Sequence, residues 1–406
     1  MFKSDDRYRT LIFIFIMGLV LRILFAFYLE NKIYWDDGFD YDGLATRLLE
    51  GKGYVNSDGM ATSFRAPGYP FFLALVYLVF GHHFLAVRVI QSILDSLTII
   101  IIASITKLIF NQKAGNFSAF IYTIYPLFVY TAGTFFPTTL FIFLLSSSMF
   151  SLFKTEKKPT LLNAVFLGIA FGISALTVPT VLVFFPLALL WLYFNRQNNY
   201  QKAILNTGMT VLSLILILSP WIIRNYHVHS KPVLIATNSG YNFWMGNNQW
   251  ATASSGNTIQ RPEYLLEALN QAGSETEKES IYYQDAFKFI KKHPGQFVNL
   301  TFQKALNLWR LYPDPGTGYK TKALLSKIVG AVSYAPVLIL AILGIILLWH
   351  QKKKYIVLLI LLFFSFTIMH AFFIAKVRFR LPLDPYLIVL AGYVLSELKL
   401  KVFKLS

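Results

Sequence analysis

The chain has no cysteine. Disulfides and thiolate metal sites are therefore excluded, while the redox compartment is left open. Charge is also scarce. Only 14% of the 406 residues are Asp, Glu, Lys or Arg, where a soluble domain carries about 25%. Too few charges are present to cover a water-facing surface, so most side chains must face lipid or one another. The apolar residues run along the whole chain, which indicates several membrane spans rather than one anchor. No Walker-type loop or GxGxxG stretch supports a soluble nucleotide substrate, and no GxSxG elbow marks a serine nucleophile. His82, His83, His227, His229, His293 and His370 fit no HExxH-like metal pattern. His227 and His229 could hold a metal from an extended segment, but a surface turn accounts for them more simply. No internal repeat or low-complexity tract is visible.

Acid is the scarcest charge: 20 Asp and Glu stand against 37 Lys and Arg, a formal net charge of +17. The basic residues are scattered between apolar stretches, which argues against a nucleic-acid partner. They fit cytoplasmic turns, or contact with anionic lipids or a lipid-linked phosphate. Leu11 to Leu29 reads as the first span. Lys3, Arg7 and Arg9 before it place the N-terminus in the cytoplasm. A cleaved signal peptide is disfavoured, because Arg22 interrupts the run and no small-residue cleavage site follows. Further spans read as 85–108, 115–134, 138–153, 161–178, 180–195, 203–224, 328–349, 355–375 and 381–397. Basic turns at Lys107 and Lys113, at Lys154, Lys157 and Lys158, at Arg196 and Lys202, at Lys352 to Lys354, and at Lys399, Lys401 and Lys404 fall on one side. Residues 30–66 and 225–327 then share the other side. Residues 67–81, about 22 Å as a helix, are short for a ~30 Å hydrocarbon core. They are expected along the outer interface or only partway in. An ordinary crossing is the rival, so the count is ten or eleven membrane helices.

Against this scarcity one loop stands out. Residues 34–70, YWDDGFDYDGLATRLLEGKGYVNSDGMATSFRAPGYP, hold six of the twenty acidic residues between two very apolar segments. Asp36, Asp37, Asp40 and Asp42 lie within seven positions. Carboxylates this close push one pKa up while another stays low, which suits a general base. They also suit a divalent metal, and a solvated loop in which Asp40 or Asp42 caps the helix running to Leu49. Arg65 stands just before Pro67-Gly68-Tyr69-Pro70, where a guanidinium fork can hold a phosphate bidentately. Arg378 and Arg380, with Lys376, would point to one side if extended. Arg224 ends another span on the same side. Each arginine could equally snorkel to the headgroups. Their convergence with the acids on one surface describes transfer from a phosphate-linked donor: arginines for the departing phosphate, a carboxylate for the acceptor hydroxyl.

In the second outer region, RNYHVHSKPVLIATNSGYNFWMGNNQW is rich in Asn, Gly and aromatics. Residues 262–293 read as helical, with Glu275, Glu277 and Glu279 starting a helix that Pro294 ends. A third helix is expected over 295–311, closed by the turn cluster YPDPGTGY.

Three segments carry a resemblance. They are DxxDYxxLAxxLLxGxGY with FRAPGYPFFLALVYLVFG (37–54 and 64–81), SPWIIRNY with SGYNFWMGNN (219–226 and 239–248), and RFRLPLDPYLIVLAGY (378–393). In this order and spacing the chain resembles the bacterial GT-C membrane glycosyltransferases of the family-39-like branch, which includes protein mannosyltransferases and the lipid A aminoarabinose transferase. The resemblance implies an all-α polytopic fold with three parts. These are a transmembrane region 1–224 that includes an outer loop 30–84 with juxtamembrane helices, an outer helical region 225–327, and a transmembrane region 328–406. It implies inverting transfer of one sugar from a polyprenyl-phosphate donor to a lipid, glycan or protein acceptor, at the outer face of a bacterial cytoplasmic membrane.

Asp37 matches the family's first-loop aspartate, the catalytic base, and Asp40 the acid before the family's tyrosine, here Tyr41. Asp36 is a second choice for the first acid, because Gly38 stands where many relatives have a second acid. Arg65, Arg378, Arg380 and Arg224 are expected to hold donor phosphate. Tyr41, Tyr69, Asn242 and Asn247 are expected to contact sugar or lipid. No cofactor is expected, with Mg or Mn left open. The rivals are a flippase or transporter of lipid-linked sugars, which would want charges such as Arg88 and Asp95 near midplane, and a polymerase or ligase using a diphosphate-linked donor.

Overall fold

A computed structural model describes residues 5–34, 36–195, 200–254, 260–312 and 320–402. Arg196, Lys404 and residues 313–319 of the turn cluster lie outside these. Of Arg7, Asp36, Lys399 and Lys401 only the backbone is described.

The chain opens with α1 (Asp5–Tyr28), then two short helices in the first loop, α2 (Asp36–Leu49) and α3 (Gly68–Phe80). A bundle follows: α4 (Phe84–Ile109), α5 (Gln112–Ile124), α6 (Pro126–Ala132), α7 (Thr138–Lys157), α8 (Leu161–Thr177), α9 (Val181–Phe194) and α10 (Tyr200–His229). The second polar region holds α11 (Ser239–Gly246), α12 (Glu263–Gln271), α13 (Glu275–Lys292) and α14 (Pro294–Leu308). The chain returns to apolar helices in α15 (Lys320–Leu348), α16 (Lys353–Phe372), the single turn α17 (Val377–Arg380) and α18 (Asp384–Val402). Among the described residues, six helices are long and apolar enough to cross a membrane, and α3, α8 and α9 are shorter apolar helices. This is an all-α integral membrane protein. Lipid-facing side chains account for the exposed apolar residues of α1, such as Phe13, Leu24 and Phe27. The main core runs through α4, α5, α7, α8, α16 and α18, with Ile99, Tyr122, Phe141, Phe171, Leu359 and Ile388 at its centre.

Several boundaries differ from the sequence reading, each for a local reason. The span expected over 115–134 is broken at Tyr125, because Pro126 starts α6 and forces Tyr125 into an extended conformation. The helix after the acidic loop begins at Asp36, so Asp40 and Asp42 lie within it rather than capping it. Asp42 instead accepts from Tyr77 Oη (2.6 Å) and pairs with His82 Nε2 (2.8 Å), tying α2 to the end of α3. Helix α10 continues five residues past Arg224, which therefore does not end it. The segment expected over 67–81 forms α3. At 13 residues it is about 20 Å long, too short to cross upright. The stretch 262–293 divides where expected. Ser274 caps α13 by accepting from Glu277 N (3.3 Å), and Glu277 accepts from Gly273 N (2.8 Å).

The two ends of the bundle are chemically distinct. At one end the basic turns gather: Lys157 donates to Leu108 O, Lys354 pairs with Glu156, and Trp191 Nε1 donates to Lys354 O (2.6 Å). At the other end the two polar regions bond to each other. Glu275 of α13 accepts from the Thr62 hydroxyl and from Ser63 N (2.9 Å), and Arg224 donates to Tyr54 O (2.9 Å). The polar regions 30–66 and 225–312 thus share one end of the molecule. Helix α4, 26 residues long, separates the two ends by about 39 Å.

Between them lie charges that hydrocarbon would not tolerate unpaired. Arg22 of α1 pairs with Asp95 of α4 and donates to Gly18 O (3.0 Å) and Thr123 O (3.2 Å), while Asp95 accepts from Tyr122 Oη (2.7 Å). Both side chains are fully buried. Removing one partner of such a pair leaves a bare charge and costs about 3–5 kcal/mol, whereas replacing both with apolar groups is often near neutral. Asp95→Ala is therefore expected to lower the melting temperature in detergent sharply. The double change Arg22→Met with Asp95→Leu should recover most of the loss. A double variant as unstable as the single one would show that the pair does not act as a unit.

Candidate active site at the polar end of the bundle

The centre of the site is Asp37, in the first turn of α2. It receives two guanidinia. Arg65, from the loop before α3, reaches Asp37 Oδ1 with Nη2 at 3.0 Å, and the same nitrogen lies 2.7 Å from Asp40 Oδ2. Arg378, from α17 near the other end of the sequence, places Nη2 3.4 Å from Asp37 Oδ2. Gly38 keeps this turn close to its neighbours: a Cβ there would sit 2.9 Å from Ile33 Cγ2 and 3.0 Å from Phe135 Cβ. The chain therefore follows its first aspartate with glycine for a packing reason.

The arginines are held from behind by aromatic faces. Arg65 lies over Tyr41 at 5.0 Å from the ring centroid and over Phe64 at 5.5 Å. Arg378 lies over Phe136 at 4.2 Å. Such contacts orient a planar guanidinium while leaving edge donors for an anion. Arg65 Nε is buried and has no acceptor among the described residues. Lys376 adds a third cation. Its pKa is lowered, first by burial and then by Arg378, with Asp37 pulling the other way. Among the described side chains, three cations thus face two carboxylates. Burial pushes the Asp37 carboxyl up, but Arg65 and Arg378 outweigh it and hold the group below its usual value.

The other expected residues lie elsewhere. Arg380 is fully buried, pairs with Asp384 (3.0 Å), donates to Arg310 O and covers the Tyr334 ring at 3.4 Å. It does not join Arg378, because 377–380 is a helical turn rather than an extended strand, and i, i+2 neighbours diverge on a helix. Arg224 is committed to Tyr54 O, Thr62 O and Ser63 Oγ and stacks on Trp221. Tyr69 is buried, donates to Gln91 Oε1 (2.9 Å) and meets Tyr41 edge-on at 5.2 Å, so it supports the floor of the site. Asn247 is buried and ties α11 to Phe372 O (2.8 Å). Asn242 is half-buried on α11. Asp36 begins α2, and only its backbone is described.

The residues that place Arg378 escaped the sequence reading. Lys304 of α14 is buried and donates to Gly246 O (3.0 Å), Phe373 O (3.0 Å) and Asn247 Oδ1 (3.1 Å). Asn307 donates to Ala375 O (2.8 Å). Together they fix the strand between α16 and α17, three residues before Arg378. A signal was present: Leu300, Lys304 and Leu308 lie at i, i+4 and i+8 on the buried face of α14, so a lysine occupies a core position.

Burial pushes the Lys304 ammonium down to about 7, from about 10.4 in an unfolded chain. Between those values the unfolded chain holds a proton that the folded chain lacks, so stability rises with pH by up to about 1.4 kcal/mol per unit. Below the folded value both states are protonated and the burial cost is fully present. From pH 7 to 9 the melting temperature of the wild type is thus expected to rise relative to that of Lys304→Met. Parallel pH profiles for the two proteins would refute the assignment.

Residues 64–223 match the sequence model of the dolichyl-phosphate-mannose-protein mannosyltransferase family. No curated protein sequence matches the chain. Among solved structures, the whole chain superposes on the oligosaccharyltransferase AglB of Archaeoglobus fulgidus. The apo form gives a TM-score of 0.61 and the complex with an inhibitory peptide and a dolichol-phosphate gives 0.58, both at 14% identity. The chain spans 52% of the length of AglB. ArnT of Cupriavidus metallidurans, bound to undecaprenyl phosphate, matches over 93% of this chain and 77% of its own at 12% identity, with a TM-score of 0.48. The chain thus shares its fold with the oligosaccharyltransferase AglB, and from Phe64, at the end of the first loop, to Ile223 of α10 it carries the sequence pattern of the dolichyl-phosphate-mannose-protein mannosyltransferase family.

Proposed function

We propose that the protein is a glycosyltransferase that moves one sugar from a polyprenyl-phosphate-linked donor to an acceptor hydroxyl at the outer face of a bacterial cytoplasmic membrane. One observation carries this reading. Two arginines from opposite ends of the sequence converge on a single half-buried aspartate, at the end of the bundle away from the basic turns. The positive-inside tendency puts those turns in the cytoplasm and the site outside. The match of residues 64–223 to a family described as using dolichyl-phosphate-mannose supports the donor class.

In this mechanism Asp37 takes the proton of the acceptor hydroxyl as that oxygen bonds to the anomeric carbon. The bond from that carbon to the phosphate oxygen breaks on the opposite side, which inverts the centre. The polyprenyl phosphate leaves with an added negative charge, and Arg65 and Arg378 hold it, with Lys376 behind them. The same two guanidinia that depress Asp37 would turn to the phosphate when donor binds. Burial then dominates, and the carboxylate becomes a stronger base when the sugar is in place. Asp40 holds Arg65 in position. The arginines supply the positive charge that phosphate chemistry needs, so the transfer is expected to run without a metal ion. Arg22 and Asp95, the charged pair within the described spans that a transporter reading would use, are paired with each other, and Arg88 is held by backbone carbonyls.

The test is an assay with purified full-length protein in detergent, radiolabelled polyprenyl-phosphate sugars and a panel of acceptors, with and without chelator. Wild type should consume donor in both conditions. Asp37→Asn should lose about 10²–10⁴-fold in rate, and Arg65→Ala should raise the donor KM and slow transfer. Full activity in Asp37→Asn would remove the base from this position. Loss of wild-type activity on chelation would overturn the metal-free mechanism.

A further inference from the structure

A second cleft opens beside the site, one residue from Arg65. It measures about 130 Å³ and lies between the first loop and α11 to α13. Phe64, Tyr241 and Tyr282 supply aromatic walls. Phe64 and Tyr241 stand 6.2 Å apart, and Tyr241 meets Tyr282 edge-on at 5.3 Å. Arg261 lies over both tyrosines, at 5.3 and 5.9 Å. Glu275 and Glu279 bring two carboxylates and Lys278 a second cation. Phe64 belongs to both sites, since its other contact is the Arg65 guanidinium.

The walls of this cleft are held in place by bonds unrelated to any guest. Glu275 accepts from Thr62, Ser63 N and Thr237 Oγ1 (2.9 Å), which fixes the first loop against α13. Ser239 donates to Glu279 Oε1. Gly240 permits the close approach of α11 to α13, because a Cβ there would meet Glu279 O at 2.3 Å. A preformed cleft with aromatic faces and a few placed polar groups is the usual form of a small-ligand site.

We infer that this cleft is the acceptor subsite and that it binds a neutral sugar ring. The inference rests on the glycosyl-transfer reading above and names the substrate class on its acceptor side. Three features select the guest. The charges are balanced, two acids against two bases, so neither an anionic headgroup nor a cationic peptide is favoured over an uncharged molecule. The aromatic faces suit the apolar C–H face of a sugar ring, while carboxylates accept from its hydroxyls and the cations donate to its oxygens. The volume lies below the ~300–1,000 Å³ of drug-sized pockets, which fits one ring rather than a lipid. A ring held here would sit against Phe64, whose ring also touches the Arg65 guanidinium of the candidate site.

The test is saturation-transfer NMR on the full chain in detergent, without donor. The probes are the methyl α- and β-glycosides of glucose, mannose, galactose and N-acetylglucosamine. At least one glycoside is expected to take up saturation on its ring protons. Tyr241→Leu, which keeps an apolar side chain but loses the ring, should weaken apparent affinity about fivefold to tenfold. Glu279→Gln, which keeps an acceptor for Ser239, and Arg261→Met, at an exposed position, should each weaken it several-fold without lowering the melting temperature. No glycoside signal in the wild type, or an unchanged signal in all three variants, overturns the assignment. Saturation passing only to phosphatidylglycerol or to a poly-glutamate peptide overturns it in favour of those partners. Because no donor is present, this result stands apart from the transfer assay: sugar binding without donor consumption sinks only the chemistry, and donor consumption without sugar binding sinks only the cleft.

Discussion

A guanidinium cannot lose its charge in hydrocarbon, so each one buried there must find oxygen. This requirement organises the molecule. Arg22, Arg88 and Arg380 are all fully buried, and each solves the problem by joining segments distant in sequence. Arg22 ties α1 to α4 and α5. Arg88 on α4 collects the carbonyls of Glu30, Lys32 and Gly133, which fixes where the chain leaves α1 and where α6 ends. Arg380 ties α17 to the end of α14 through Arg310 O, and its neighbour Asp384 accepts from Tyr125 at the break between α5 and α6 (2.9 Å). The packed bundle is thereby registered toward its polar end, which is where the candidate site must be held to within a fraction of an ångström.

Against that fixed frame the Asp37 cluster differs in kind. Arg65 and Arg378 are only partly buried, and they share acids instead of each owning one. Among the described side chains cations outnumber acids, aromatic rings back the guanidinia, and one buried N–H of Arg65 has no acceptor among the described residues. A structural ion pair needs none of this. These are the features an anion would complete, by supplying negative charge and the remaining acceptors. The contrast between Arg380, saturated and covered, and Arg378, two residues earlier and open to Asp37, separates scaffold from site within a single helical turn.

The second polar region reaches the same place by a different chemistry. It touches the first loop mainly through carboxylate and amide bonds: Glu275 accepts from Thr62 and Ser63, and Asn225 Oδ1 accepts from Ser63 Oγ (2.8 Å). It touches the C-terminal bundle through Lys304 and Asn307, which cap carbonyls left open between α16 and α17. One face of this region therefore positions Arg378 and another forms the wall of the mixed-charge cleft.

The sequence by itself determined the material of the protein and much of its order. Charge scarcity required a membrane scaffold, and the Pro and Gly punctuation placed most helix ends within a few residues. The concentration of six acids in 34–70 marked the loop that matters. Those properties are local, carried by composition and by periods of a few residues. Tertiary structure alone decided which charges work together. Arg378 and Arg380 are near-equivalent by position, yet a helical turn sends one to Asp37 and the other into the core. Arg224 fits a phosphate clamp on paper, but the carbonyls of the first loop take its donors. Lys304 is an ordinary helix residue until the end of α16 closes over it. Partners for a buried charge are chosen by distance in space, and segments more than three hundred residues apart in this chain are brought together only when the spans pack.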